Sequence, residues 1–185
     1  MQLPTAPQAQ KIAQAAIPRL ESALSLHCGD IDGWIALSEA RLTLGQLSQA
    51  WQAAEYALQL QPDHELALRR LADAALALGR WDRAETATNQ LLRLNPSCVD
   101  YHLLRAAVRL TQKQWELAER NCQQALAIHP LHPQAHLYLA VCHQQRGDPT
   151  SAQQHLQLAL QLSTTVEQRQ HFRDWFRQQT RPSPP

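Results

Sequence analysis

Nine histidines and four cysteines are the side chains of this 185-residue sequence best suited to chemistry. His129-x-x-His132 and His132-x-x-x-His136 have ligand-like spacing. Pro130 and Pro133 lie within that run, however, and proline breaks the helix that would set the rings on one face. No His-Glu-x-x-His sequence occurs. Cys28, Cys98, Cys122 and Cys142 are widely spaced, with no Cys-x-x-Cys pair. Cys122 and Cys142 fall on consecutive elements that can bring them near each other, but a free cysteine is also an ordinary small core residue. The five glycines are too dispersed to form a phosphate-cradling loop. No local Ser–His–Asp motif is visible, and aromatic residues do not alternate with basic ones as in single-strand nucleic-acid binders. The histidines and cysteines therefore read as packing residues. Neither an enzyme nor a metal or cofactor site is expected.

The elements that carry these residues read as helical. Hydrophobic residues make up 44% and charged residues 18% of the chain, with glutamine distributed throughout. Ala, Leu, Gln, Arg and Glu favour helix, while the few β-branched and aromatic residues leave little from which to build strands. The net charge of +1 supplies no basic field for nucleic acid or an anionic membrane. No run approaches the ~20 apolar residues of a membrane span. The N-terminus lacks the charged and apolar regions of a signal peptide. With dispersed cysteines, this predicts a cytoplasmic protein with reduced thiols.

A period of 34 residues runs through the sequence. Pro62, Pro96 and Pro130 keep it, as do Ala16, Ala50, Ala84, Ala118 and Ala152, and Leu24, Leu58, Leu92, Leu126 and Leu160. Gly45, Gly79 and Gly147 share it too, with Lys113 in the remaining slot. Within one period, Trp34, Leu37, Ser38 and Arg41 form a helical stripe. Gly45 breaks that helix, a second stripe follows from Leu47 to Leu58, and Pro62 closes the repeat.

The period, the helix–turn–helix reading and the order Trp34-x-x-Leu37 … Ala50 … Pro62 resemble the tetratricopeptide repeat. The resemblance implies an all-α, right-handed superhelical solenoid of antiparallel helix pairs. Four full repeats are expected at 31–64, 65–98, 99–132 and 133–166. They are preceded by a partial repeat over 1–30 and followed by a capping helix over 167–180 and a disordered tail over 181–185. Ser38, Ala72, Ala106 and Ala140 should fill the tight crossing on each first helix. Arg41, Ala75, Arg109 and His143 replace the family tyrosine, and His102 and His136 occupy the slot of Trp34. Pro18 predicts a kink, or a helix restarting near Ile17. Thr164-x-x-Glu167 reads as a capping box for the last helix. Phe172, Trp175 and Phe176 form its apolar stripe, turned towards the last repeat.

In this family the inner faces of the first helices line a groove that holds other proteins. Matched residue by residue, that groove draws on Ile35, Glu39, Arg69, Arg70 and Asp73, then on Leu103, Leu104, Leu137, Tyr138 and Val141. Its first half carries paired charges and its second half is apolar; an exposed apolar patch marks an interaction site, the alternative being that a terminus or a neighbouring helix fills the groove. The Lys and Asn residues with which some relatives grip a chain terminus are missing: Ile35, Glu39, Arg70, Asp100 and Leu104 stand in their place. The reading is a scaffold or adaptor that docks an amphipathic helix or an extended segment of a protein partner. The alternatives are an assembly or secretion chaperone and, on the histidines and cysteines alone, a metalloprotein or enzyme.

Overall fold

The computed structural model describes residues 6–180; the tail expected over 181–185 lies outside them. Ten helices, and no strand, occur among the described residues. They are α1 (Ala6–Leu26), α2 (Ile31–Thr43), α3 (Leu47–Leu60), α4 (Glu65–Ala77), α5 (Trp81–Leu94), α6 (Val99–Thr111), α7 (Trp115–Ile128), α8 (Pro133–Gln145), α9 (Pro149–Leu162) and α10 (Val166–Gln179). First helices start at 31, 65, 99 and 133, and second helices at 47, 81, 115 and 149, so the sequence period is carried into the backbone. The chain divides into two compact units, Met1–Leu94 and Asn95–Pro185. Each is a stack of antiparallel helix pairs.

The turn inside each pair is the same device four times. Gln46, Arg80, Gln114 and Asp148 each donate a backbone N–H, over 2.8–2.9 Å, to the carbonyl five residues earlier. This is the closing bond of a Schellman turn, which needs a left-handed residue beside it. Gly45 (φ 71°), Gly79 (φ 70°) and Gly147 (φ 81°) supply that conformation, and Lys113 adopts it at φ 57°. For Lys113 the conformation costs about 1–2 kcal/mol. The hydrogen-bonded turn offsets this strain.

Small residues fix how closely the helices cross. Ala50, Ala84, Ala118 and Ala152 on the second helices are buried, as are Ser38, Ala72, Ala106 and Ala140 on the first. The Ser38 hydroxyl donates to the Ala50 carbonyl at 2.8 Å, so the one polar member of the series is satisfied by the helix it touches.

The two ends differ from expectation in detail. Helix α1 continues through Pro18 instead of restarting near Ile17. Pro18 and Gln14 are both exposed, so the Gln14 carbonyl that loses its helical partner can meet water. At α10 the capping box sits one residue later than expected. The Thr165 hydroxyl accepts from the Gln168 N–H at 3.1 Å, while the Gln168 side chain accepts from the Thr164 N–H at 3.2 Å. Thr165 has extended backbone, as an N-cap requires.

Candidate interaction site

In the first unit, the expected docking residues separate into one core side chain and one ionic network. Ile35 is buried, clustered with Ala57 and Ala67. The other four form a chain of charges across α2 and α4. Glu39 meets Arg70 at 3.0 Å, Arg70 meets Asp73 at 3.4 Å, and Asp73 meets Arg69 at 3.3 Å. Burial pushes the Asp73 carboxyl above its ordinary range, against the pull of Arg69 and Arg70. Its charged form is thus incompletely compensated, although two guanidinium groups face it. The Glu39 side chain is 59% exposed and that of Arg69 33%, so the network is open to a partner. Leu66, on the same helix as the arginines, is 53% exposed.

In the second unit, Leu103, Leu104, Leu137, Tyr138 and Val141 are all buried. The expected open apolar face is therefore covered. Helix α10 covers the α8 part of it: Trp175 and Phe176 pack on the cluster that includes Tyr138 and Val141, and Phe172 clusters with Leu137. The Tyr138 and Trp175 rings are 5.4 Å apart, and Gln145 at the end of α8 donates to the Gln179 carbonyl at 2.6 Å. The aromatic stripe of α10 was legible in the sequence. That it reaches the first-helix positions of this unit was not, because periodicity assigns a helix face but does not say what covers it.

The histidines take structural roles, one of which the sequence understated. The Trp34 indole N–H donates to the Cys28 carbonyl at 2.8 Å, and ring nitrogens of His102 and His136 reach the Pro96 and Pro130 carbonyls at 2.8 and 3.2 Å. The shared slot therefore ties a ring N–H to the carbonyl six residues earlier. Because a carbonyl only accepts, neutral His136 carries its proton on Nε2, which leaves Nδ1 as an acceptor. Its neighbour His155, 3.1 Å away between Nδ1 atoms, must then donate. His155 also stacks on His143 at 5.3 Å. Sequence reasoning missed residue 155, yet a signal exists: in the series Ala53, Ala87, Asn121, His155, small residues give way to polar ones. Asn121 is likewise used, accepting from Arg105 Nε at 3.0 Å. Among the described residues, no group of three or more His, Cys, Asp or Glu side chains is placed to hold a metal ion. All four cysteines are free thiols. Burial pushes Cys142 up to about 12 and Cys122 well above its ordinary value, the opposite of nucleophile activation.

A cavity of about 410 Å³ lies elsewhere on the first unit, between α3 and α5, lined by Glu55, Pro62, Leu71, Arg83 and Gln90 among others. It brings together no set of catalytic groups. No helix among the described residues is long and apolar enough to cross a membrane.

Solved structures similar to this chain share its fold. A thermophilic TPR protein of Thermus thermophilus, TTC0263, is 20% identical with a TM-score of 0.73, over 92% of this chain and 98% of its own. Residues 41 to the end of MamA from Desulfovibrio magneticus RS-1 match with 19% identity and a TM-score of 0.72, over 85% of this chain and 94% of that one. YrrB, described as a TPR protein with an unusual peptide-binding site, matches with 13% identity and a TM-score of 0.69, over 89% and 84%. No curated protein is matched. The tetratricopeptide repeat profile matches residues 42–108 and 109–165, well over half of the sequence. The chain belongs to the tetratricopeptide repeat family, whose fold supports a general role in protein–protein interaction.

Proposed function

We propose that this protein is a scaffold or adaptor subunit, working in the cytoplasm, which docks an amphipathic helix or extended segment of a protein partner within a larger assembly. The observation that carries the proposal is the network of Glu39, Arg70, Asp73 and Arg69. Stacking of helix pairs does not require it, since the matched positions of the second unit are Ala107, Leu103, Leu104, Leu137, Tyr138 and Val141. Its groups are part-exposed, and an acidic side chain of a partner can compete with Asp73 for the two arginines. Such contacts set orientation and encounter rate more than strength. Exposed Leu66 beside them offers apolar area that the charges lack.

The test is affinity purification from the source cells, comparing wild type with Arg69→Glu/Arg70→Glu. Both proteins should give the same helical circular-dichroism spectrum. Wild type should retain a partner at fixed stoichiometry, and the variant should lose most of it. A folded variant that holds the same partner equally well would move the docking site away from α4. A partner that appears only transiently and unassembled would favour a chaperone instead.

A further inference from the structure

The α8 part of the apolar half of the expected docking surface is covered by the chain's own last helix. Among first helices, the positions of Ile35 and Glu39 become Arg69 and Asp73, then Leu103 and Ala107, then Leu137 and Val141. The repeat thus tolerates charge at these places. In the second unit they are apolar, and on α8 a helix lies over them.

That helix is held lightly. α6 buries seven residues and α8 eight, whereas α10 buries Phe172 alone, with Trp175 and Phe176 half-covered. Its ion pair, Arg177 with Asp174, lies within the helix, as does the bond of Gln170 to Asp174. Its N-cap bond, Thr165 to Gln168, is also its own. None of these is lost if α10 leaves the surface. Ser163 and Thr165 have extended backbone, so the connection from α9 is a short non-helical link. Departure of α10 would break the bond that Gln145 of α8 donates to the Gln179 carbonyl, but an element with one buried side chain and mostly internal polar bonds belongs to the low-stability end of a fold.

We propose that α10 is a resident occupant of a helix-docking surface formed by Leu137, Tyr138 and Val141 of α8, and that a partner helix displaces it. The partner carries large apolar side chains, aromatic ones above all, at i, i+3 and i+4, the pattern of Phe172, Trp175 and Phe176. The geometry supplies the template, because this surface already accepts such a helix through side-chain packing. This inference rests on the reading of the chain as a docking scaffold and adds a second, apolar contact to it. Tethering matters to the balance. A segment attached through a short linker acts at about millimolar effective concentration. A free helix of equal intrinsic affinity, offered at micromolar concentration, therefore competes poorly until the resident helix is weakened.

The experiment uses the full chain and a fluorescein-labelled synthetic peptide of residues 163–180 as probe, read by anisotropy. Phe172→Ala/Trp175→Ala in the protein should raise the affinity for this peptide at least ~10-fold over wild type. A peptide carrying Phe172→Ala, Trp175→Ala and Phe176→Ala should not bind. If the variant keeps its helical spectrum and binds the peptide no more tightly than wild type, the proposal is overturned. Should the variant aggregate, hydrogen exchange of the unaltered protein decides. Amides of α10 should exchange at least ~10-fold faster than those of α8, and equal protection overturns the proposal. A dimer formed by exchange of α10 between two copies, seen as a doubled mass on light scattering, would also overturn it in favour of a second copy as occupant. None of these outcomes depends on Arg69 or Arg70, so they stand apart from the scaffold test.

Discussion

At the scale of single residues, the chain shows how a side chain with catalytic potential is committed to structure. His136 bonds the Pro130 carbonyl through one nitrogen and faces His155 through the other. The arrangement is satisfied when both rings are neutral. Burial first, then His136 and His143, hold His155 below the ordinary histidine value, with Glu119 pulling the other way. His132 is lowered as well, by burial and by His129, against Asp100. The unfolded chain binds protons at these positions more readily than the folded one. Stability is therefore fully present above the unfolded value of about 6.5 and falls as the pH drops through it towards the lower folded-state values. Thermal melts at pH 7.5 and 5.5 should show a lower Tm in acid. His155→Asn should shrink the difference, since it removes one half-buried titrating ring from the ladder. Equal acid sensitivity in the variant would show that these rings do not govern the response.

At the scale of elements, α1 is the place where local preference and packing disagree. Proline inside a helix removes one backbone bond and crowds the preceding turn, yet α1 runs unbroken across Pro18. The buried side of the helix explains why: Ala13 and Leu24 are buried, and Leu24 clusters with Leu37 and Ala53 of the first repeat. Packing at both ends of the segment keeps the middle helical, and water can serve the carbonyl that proline leaves open. Pro18→Ala should restore the missing donor and stabilise the protein by about 1–3 kcal/mol, read as an upward shift of the urea midpoint. An unchanged or lower midpoint would mean that the proline is already accommodated by how α1 meets α2. Elements of this kind were largely legible beforehand. A repeat imposes its boundaries several times over, so one ambiguous helix is corrected by its copies; the last helix, expected over 167–180, is Val166–Gln179. The docking face was less legible. Ile35 and Leu103 share a repeat position with Arg69, and that position can serve either as core or as surface. Which role it takes depends on the neighbouring helix, a through-space property that the 34-residue period does not encode.

At the scale of the whole molecule, the two compact units differ in what fills them. The first, Met1–Leu94, buries mostly alanine, including Ala50, Ala53, Ala54, Ala57, Ala67, Ala72, Ala74, Ala75, Ala84 and Ala87, beside the larger Leu24, Ile35, Leu37, Trp51, Leu68, Leu91 and Leu92. The second, Asn95–Pro185, also buries Leu103, Leu104, Leu110, Leu137, Leu139, Val108, Val141, Tyr101, Tyr138 and Phe172. A buried methylene contributes about 0.8 kcal/mol, so larger side chains give the second unit the greater apolar stabilisation. In repeat proteins each repeat is held chiefly by its neighbours, and unfolding need not be a single event. Tryptophans can report the two units separately: Trp34, Trp51 and Trp81 lie in the first, Trp115 and Trp175 in the second. Variants that retain tryptophan in one unit only, with phenylalanine in the other, should show different urea midpoints by fluorescence. The midpoint reported from the second unit should be the higher. Coincident midpoints that also match the circular-dichroism transition would mean that the chain unfolds as one cooperative body, with the richer core supporting both units alike.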